Sequence, residues 1–170
     1  MEFAIEILKL AKSFIGNEEL LNNSGFKDSK FQEMMEKIGW MTGWAWCASF
    51  VRLVYLKAAA NYFGKDSKQY KIINKTLKHS VLRTYRAAKN SKHWRITEIP
   101  VVGGILIFKH GRTTGHEGIA LNAHSVTVTV EGNTNERGER EGKFVLSKVR
   151  SVHFDNHYLG CLSFINNVNE

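Results

Sequence analysis

A single proline separates two kinds of apolar pattern, and that separation limits the folds open to this chain. Before Pro100 the apolar residues recur at helical spacing, and after it they form short runs and alternations. Phe3, Ile7, Leu10, Ala11 and Phe14 predict an amphipathic helix over 3–15, closed by Gly16-Asn17. Asn22-Asn23-Ser24-Gly25 is a turn cluster, and Phe31, Met34, Met35 and Ile38 predict a second helix over 29–38. The strongest helical stretch runs from Trp44 to Phe63, with Cys47, Phe50, Val51, Val54 and Ala58 on one face. Gly39 and Gly43 break the chain ahead of it, which puts Cys47 in its first turn. Two basic helices are expected over 66–75 and 80–89, with a solvated helical surface as the plain reading of their lysines and arginines.

Beyond Pro100, Gly103-Gly104 introduces a short apolar strand at Ile105–Phe108. His116–Asn122 and Ser125–Val130 follow as strands joined by a tight turn at Ala123-His124, and residues 143–149 and 158–165 complete the set. Helices first and strands second predict an α+β domain, with N-terminal helices packed on a C-terminal antiparallel β-sheet. The chain has 170 residues and is 43% hydrophobic, enough for one domain over 1–170 with a sizeable core. No repeat, low-complexity tract or internal boundary is visible, so no separate binding domain is expected.

Charge narrows the partners less than pattern narrows the fold. There are 24 basic and 16 acidic residues, a net +8, which favours an anionic partner. Nucleic acid, anionic lipid and acidic cell-envelope polymer all qualify. The lysine-rich helices lack a regular aromatic interleave for single-stranded nucleic acid, so no nucleic acid is expected. The N-terminus opens acidic and has no unbroken apolar run, and no stretch is long enough to span a bilayer. Synthesis in the cytoplasm without a signal peptide is the expectation. The two cysteines, Cys47 and Cys161, are too few for a disulfide framework, although one bridge between them stays open.

Cys47 lies in Gly43-Trp44-Ala45-Trp46-Cys47-Ala48-Ser49-Phe50-Val51. At a helix start it feels the positive end of the helix dipole, which favours a thiolate. The competing reading is a small buried hydrophobe. A thiolate nucleophile needs a base, and His116 begins a strand, sharing a face with Gly118 and Ala120. Those small neighbours leave room for a substrate above that face. In Ser125–Val130, Val126, Val128 and Val130 share the apolar face, while Thr127, Thr129 and Glu131 share the other. Asn133 keeps that parity if the chain stays extended. Glu131 is then placed to accept the imidazole N–H, and Asn133 to donate to substrate or oxyanion, with an ordinary polar turn as the alternative. Trp44 and Trp46 are candidates for a groove that stacks on sugar rings, with core packing as the other reading. His153 and His157 have the i,i+4 spacing of metal ligands on a helix, but no third ligand is evident. No metal and no cofactor is expected. No phosphate loop or Gly-x-Ser-x-Gly elbow occurs.

Together these segments resemble the CHAP family, the cysteine, histidine-dependent amidohydrolases/peptidases. Trp46-Cys47-Ala48-Ser49-Phe50-Val51 is similar to its nucleophile segment, and Gly115-His116-Glu117-Gly118-Ile119-Ala120 to its histidine segment. Val130-Glu131-Gly132-Asn133-Thr134-Asn135 is similar to the segment carrying its acidic and amide residues. Gly103-Gly104 departs from the Gly-Asp pair of many members, and a changed turn is expected there. The resemblance implies a papain-like α+β fold and hydrolysis of peptidoglycan amide bonds, as an amidase or an endopeptidase. Cys47 would be nucleophile and His116 base, with Glu131 orienting the histidine and Asn133 assisting the oxyanion or the histidine. The expected partner is bacterial peptidoglycan, met by a monomer after release through a phage membrane hole or injection by a secretion machine. An injected effector would need an immunity protein. A catalytically silent wall-binding module on the same fold is the rival reading.

Overall fold

The computed structural model describes residues 2–135 and 142–165. Among these, five helices precede six strands. The helices are α1 (Glu2–Ser13), α2 (Ser29–Lys37), α3 (Cys47–Phe63), α4 (Lys68–Thr76) and α5 (Val81–Lys89). The strands are β1 (Trp94–Thr97), β2 (Ile105–Lys109), β3 (Gly115–Ala120), β4 (Val126–Thr134), β5 (Phe144–Ser151) and β6 (Tyr158–Phe164). They form one antiparallel sheet in the order β1-β6-β2-β3-β4-β5. The α+β class expected from the switch at Pro100 is therefore present. No helix among the described residues is long and apolar enough to cross a membrane.

Local chemistry sets the helix boundaries. Asp28 caps α2, its Oδ1 accepting the N–H groups of Lys30 and Phe31 at 2.8 and 3.0 Å. Ser67 caps α4 by accepting from the Tyr70 N–H at 3.1 Å. Helix α1 buries Phe3, Ile7, Leu10 and Ala11, the stripe its spacing predicts. Helix α3 is different: Ala48, Phe50, Val51, Leu53, Val54, Tyr55 and Ala58 are all buried, so it is apolar on almost every side. Such a helix belongs in the centre of a domain. It packs against α1, α2 and α4 and also against β3 and β4 of the sheet.

The sheet has an apolar cluster on each face. Ile105, Ile107, Ile119, Val130, Val145 and Leu162 join the helical core, whereas Leu106, Phe108, Ala120, Val152 and Cys161 form a smaller cluster. Strand β2 is buried on both faces, which is why it reads as a continuous apolar run. Strand β1 has no counterpart among the expected strands. It has only four residues, includes exposed Arg95, and pairs with β6 at the sheet edge. The parity of β4 also has an unexpected outcome. Val126 and Val128 are exposed or nearly half so, while Thr127, Thr129 and Glu131 are fully buried. Over residues 126–129 the polar side of this strand is the side covered by protein, and Val130 alone of the three valines is buried.

Close approach between α3 and β4 depends on Gly132. A Cβ at that position would lie 2.6 Å from the Phe50 Cβ and 2.6 Å from the Trp46 ring. Neither atom is the free end of a flexible side chain, so a methyl group there must separate helix and strand. Gly132→Ala is expected to destabilise the protein by about 1–3 kcal/mol, the usual cost of overpacking. Urea unfolding checks this, and an unchanged midpoint would show that the α3–β4 contact is not tight.

Candidate active site

Trp46 fixes the chain just ahead of α3. Its side chain has 0% exposure, stands edge-to-face on Phe26 at 5.0 Å, and donates its indole N–H to Glu19 Oε2 at 2.5 Å. Glu19 also accepts the Asn23 N–H at 2.7 Å. The expectation that Trp46 lines a substrate groove is corrected: its ring completes an aromatic core, and truncation would cost about 3–5 kcal/mol. Trp44 is 39% exposed and lines an open cavity, so it is the tryptophan available to a ligand. The carbonyl of Trp44 accepts from the buried Trp40 ring at 3.0 Å, which holds this loop to the core.

Cys47 is the first residue of α3 and lines a small cleft of about 170 Å³. Ala45, Ala48, Ser80, Val81, Gly115 and Asn133 form its walls. Both Cys47 and Cys161 carry free thiols. Asn133 reaches this cleft by a route that strand parity did not foresee. The β4–β5 register shifts between Glu131 and Thr134, and Asn133 has a φ of 54°. The chain is therefore bulged here, not extended, and asparagine tolerates the left-handed conformation better than most residues.

His116 lies next to Cys47 on β3. Its Nε2 donates to Glu131 Oε2 at 2.8 Å, which leaves Nδ1 as the other ring nitrogen. The room expected above Gly118 belongs to Glu131: a Cβ at Gly118 would lie 2.5 Å from the Glu131 Cγ. That space holds the Glu131 carboxylate that hydrogen-bonds His116, and not a substrate. Burial opposes charge on the His116 ring. Hydrogen bonding and charge from Cys47 and Glu131 more than offset this, raising its pKa to about 10.

Glu131 has no exposed surface, and protein groups satisfy its charge completely. Oε1 accepts from the Thr129 hydroxyl at 2.6 Å and from Arg150 Nε at 2.7 Å. Oε2 accepts from Arg150 Nη2 at 2.6 Å in addition to His116. Burial alone would raise the Glu131 pKa, but hydrogen bonds from Arg150 and His116, with their charges, hold it well below the usual carboxylate range. Arg150 was not among the residues expected from sequence. It lies opposite Thr127 on β5 and stacks its guanidinium 5.2 Å from the Phe108 ring centre. The expected strand over 143–149 stopped one residue short of it.

Glu117 is a second buried carboxyl, on the other side of β3 from His116. Its Oε2 has no hydrogen-bond partner among the described residues, and burial pushes its pKa up to about 8 against the lowering charge of His116. The spacing of His153 and His157 does not lie on an α-helix: residues Val152–Phe154 form a short 3₁₀ turn. Among the described residues no group of three His, Cys, Asp or Glu is arranged to hold a metal ion.

The two carboxyls respond to pH with opposite signs. Glu131, depressed when folded, adds stability above its unfolded pKa of about 4.3 and loses it as pH falls below that value. Glu117, raised when folded, loses stability as pH climbs from about 4.3 toward 8. The stability advantage of wild type over Glu131→Gln should therefore shrink on acidification from pH 5, while Glu117→Gln should gain on wild type between pH 5 and 8. Urea midpoints across pH read both. Parallel curves for wild type and Glu131→Gln would contradict the assignment.

Comparison with models of known families, with curated proteins and with solved structures finds no match.

Proposed function

We propose that this protein is a cysteine-dependent amide hydrolase of the CHAP type, on a papain-like fold, and that it acts on bacterial peptidoglycan. One observation carries the reading. A cysteine at the start of a buried helix adjoins a histidine whose far nitrogen is held by a buried, fully hydrogen-bonded carboxylate. A cysteine kept only as a small hydrophobe has no use for that arrangement. The three motifs that resemble the family supply the same residues, and the substrate class comes from that resemblance.

In the proposed reaction Cys47 attacks the carbonyl carbon of a stem-peptide or lactyl amide as a thiolate paired with the His116 imidazolium. The tetrahedral oxyanion accepts from the Cys47 backbone N–H, which forms no hydrogen bond within the described chain, and Asn133 lines the same cleft. His116 gives its proton to the leaving amine. It then takes a proton from the water that cleaves the thioester. Glu131 keeps Nε2 protonated and the ring aimed, and Arg150 keeps Glu131 in place.

Digestion of purified peptidoglycan, with products identified by mass spectrometry, tests this. Wild type should release fragments, and Cys47→Ala should lower the rate by about 10⁴-fold or more while leaving the fold intact. Glu131→Gln should retain a small rate, about 10²-fold below wild type or lower. Free stem peptides would identify an amidase, and shortened or uncrosslinked stems an endopeptidase. No fragments from folded wild type on walls of several chemotypes would favour a wall-binding module instead.

A further inference from the structure

A second cavity, of about 470 Å³, opens beside the Cys47 cleft and shares His79 and Ser80 with it. Arg52, Lys78 and Arg83 line it, with Trp44 and Leu77 supplying apolar surface, and among the described residues no aspartate or glutamate lines either cavity. Among the described residues none of these three cations forms an ion pair with a carboxylate. Among the described residues Arg52 is held by neutral acceptors: the carbonyls of Ile38, Asn74 and Leu77, and the Asn74 side chain. Those bonds use four of its five N–H groups, so one Nη2 hydrogen stays available. Lys78 and Arg83 are exposed. Their heads are therefore free to meet a ligand at little cost to folding.

The wall between cavity and cleft is fixed to the catalytic helix. His79 Nε2 donates to the Ile38 carbonyl at 3.0 Å, so Nδ1 accepts from the Ser49 hydroxyl at 2.8 Å. Ser49 lies two residues beyond Cys47 on α3. Burial and the charge of Arg52 lower the His79 pKa, which favours the neutral ring that these two hydrogen bonds describe. Trp44 packs on the same ring at 5.6 Å. The stretch of chain between Lys78 and Arg83 is therefore tied to the helix that carries Cys47.

We infer that this cavity is a carboxylate-binding subsite: it holds a free carboxylate of the peptide flanking the scissile amide, and so selects substrates by their charge. Three cations around one cavity, with no acidic partner among the described residues and continuous with the cleft of the nucleophile, carry the inference. It rests on the hydrolase reading for the identity of the peptide, but not for the preference for a carboxylate. A peptide whose side carboxylates are converted to carboxamides has the same shape and loses the charge. Arginine in particular discriminates between the two, because only the carboxylate matches its paired donors.

Calorimetric titration of Cys47→Ala protein with a soluble muropeptide bearing free carboxylates, and with its carboxamide counterpart, tests the subsite without turnover. The carboxylate form should bind roughly tenfold tighter or more, and the preference should weaken with added salt. Lys78→Gln/Arg83→Gln, placed in the same background, should abolish the preference while leaving carboxamide affinity unchanged. In wild type the double substitution should raise KM for the carboxylate substrate with kcat little affected. Equal affinity for the two peptides, or a preference that survives the double substitution, would overturn the subsite. The same preference in a protein that cleaves neither peptide nor intact wall would uphold the subsite and remove the hydrolase reading. Cleavage of walls without any carboxylate preference would do the reverse.

Discussion

A carboxylate with no access to water must have its charge met by protein groups or give the charge up. Glu131 meets it fourfold: one hydroxyl, two guanidinium N–H groups and one imidazole N–H all donate to it. The donors come from three adjacent strands, with Thr129 on β4, Arg150 on β5 and His116 on β3. The pairing of those strands and the charge state of the site are thus the same set of bonds. Removing either cation leaves an uncompensated buried charge, so the network orders the centre of the sheet as well as the histidine.

Close packing beside this network positions Cys47. Helix α3 can place Cys47 beside His116 only because β4 presents no side chain at Gly132, where Phe50 and Trp46 press against its backbone. The bulge that follows turns Asn133 into the cleft. A regular strand would have carried residue 133 to the Glu131 face. A sheet irregularity beside a cleft re-aims one side chain, a common use of a bulge.

Much of this was legible in the sequence because local rules decided it. Periodicity gave the helices within a few residues, and the switch after Pro100 gave the class. Strand parity grouped His116 with Gly118 and Ala120, and Glu131 with Thr127 and Thr129, and the histidine and carboxylate are hydrogen-bonded. What escaped notice depends on long-range pairing. Arg150 acts from a partner strand, and nothing near residue 150 marks it. Strand β1 is defined by the edge it completes rather than by its own pattern. Trp44 and Trp46 differ by two positions and have opposite fates, one open to a cavity and one at the centre of the aromatic core, and composition does not distinguish them. The cations of the second cavity come from α3, from the loop before α5 and from its first turn, so only the fold shows that they surround one space.

The charge on the His116 ring is the most direct test of how the site is built, because burial and the Cys47–Glu131 pair pull it in opposite directions. NMR of the histidine side chains across pH, with the signal assigned by its loss in His116→Gln, measures it. A ring that stays protonated through neutral pH and titrates near 10 is the predicted result. A ring that titrates at the ordinary value of about 6.5, or is already neutral at pH 6, would contradict a nucleophile paired with an imidazolium.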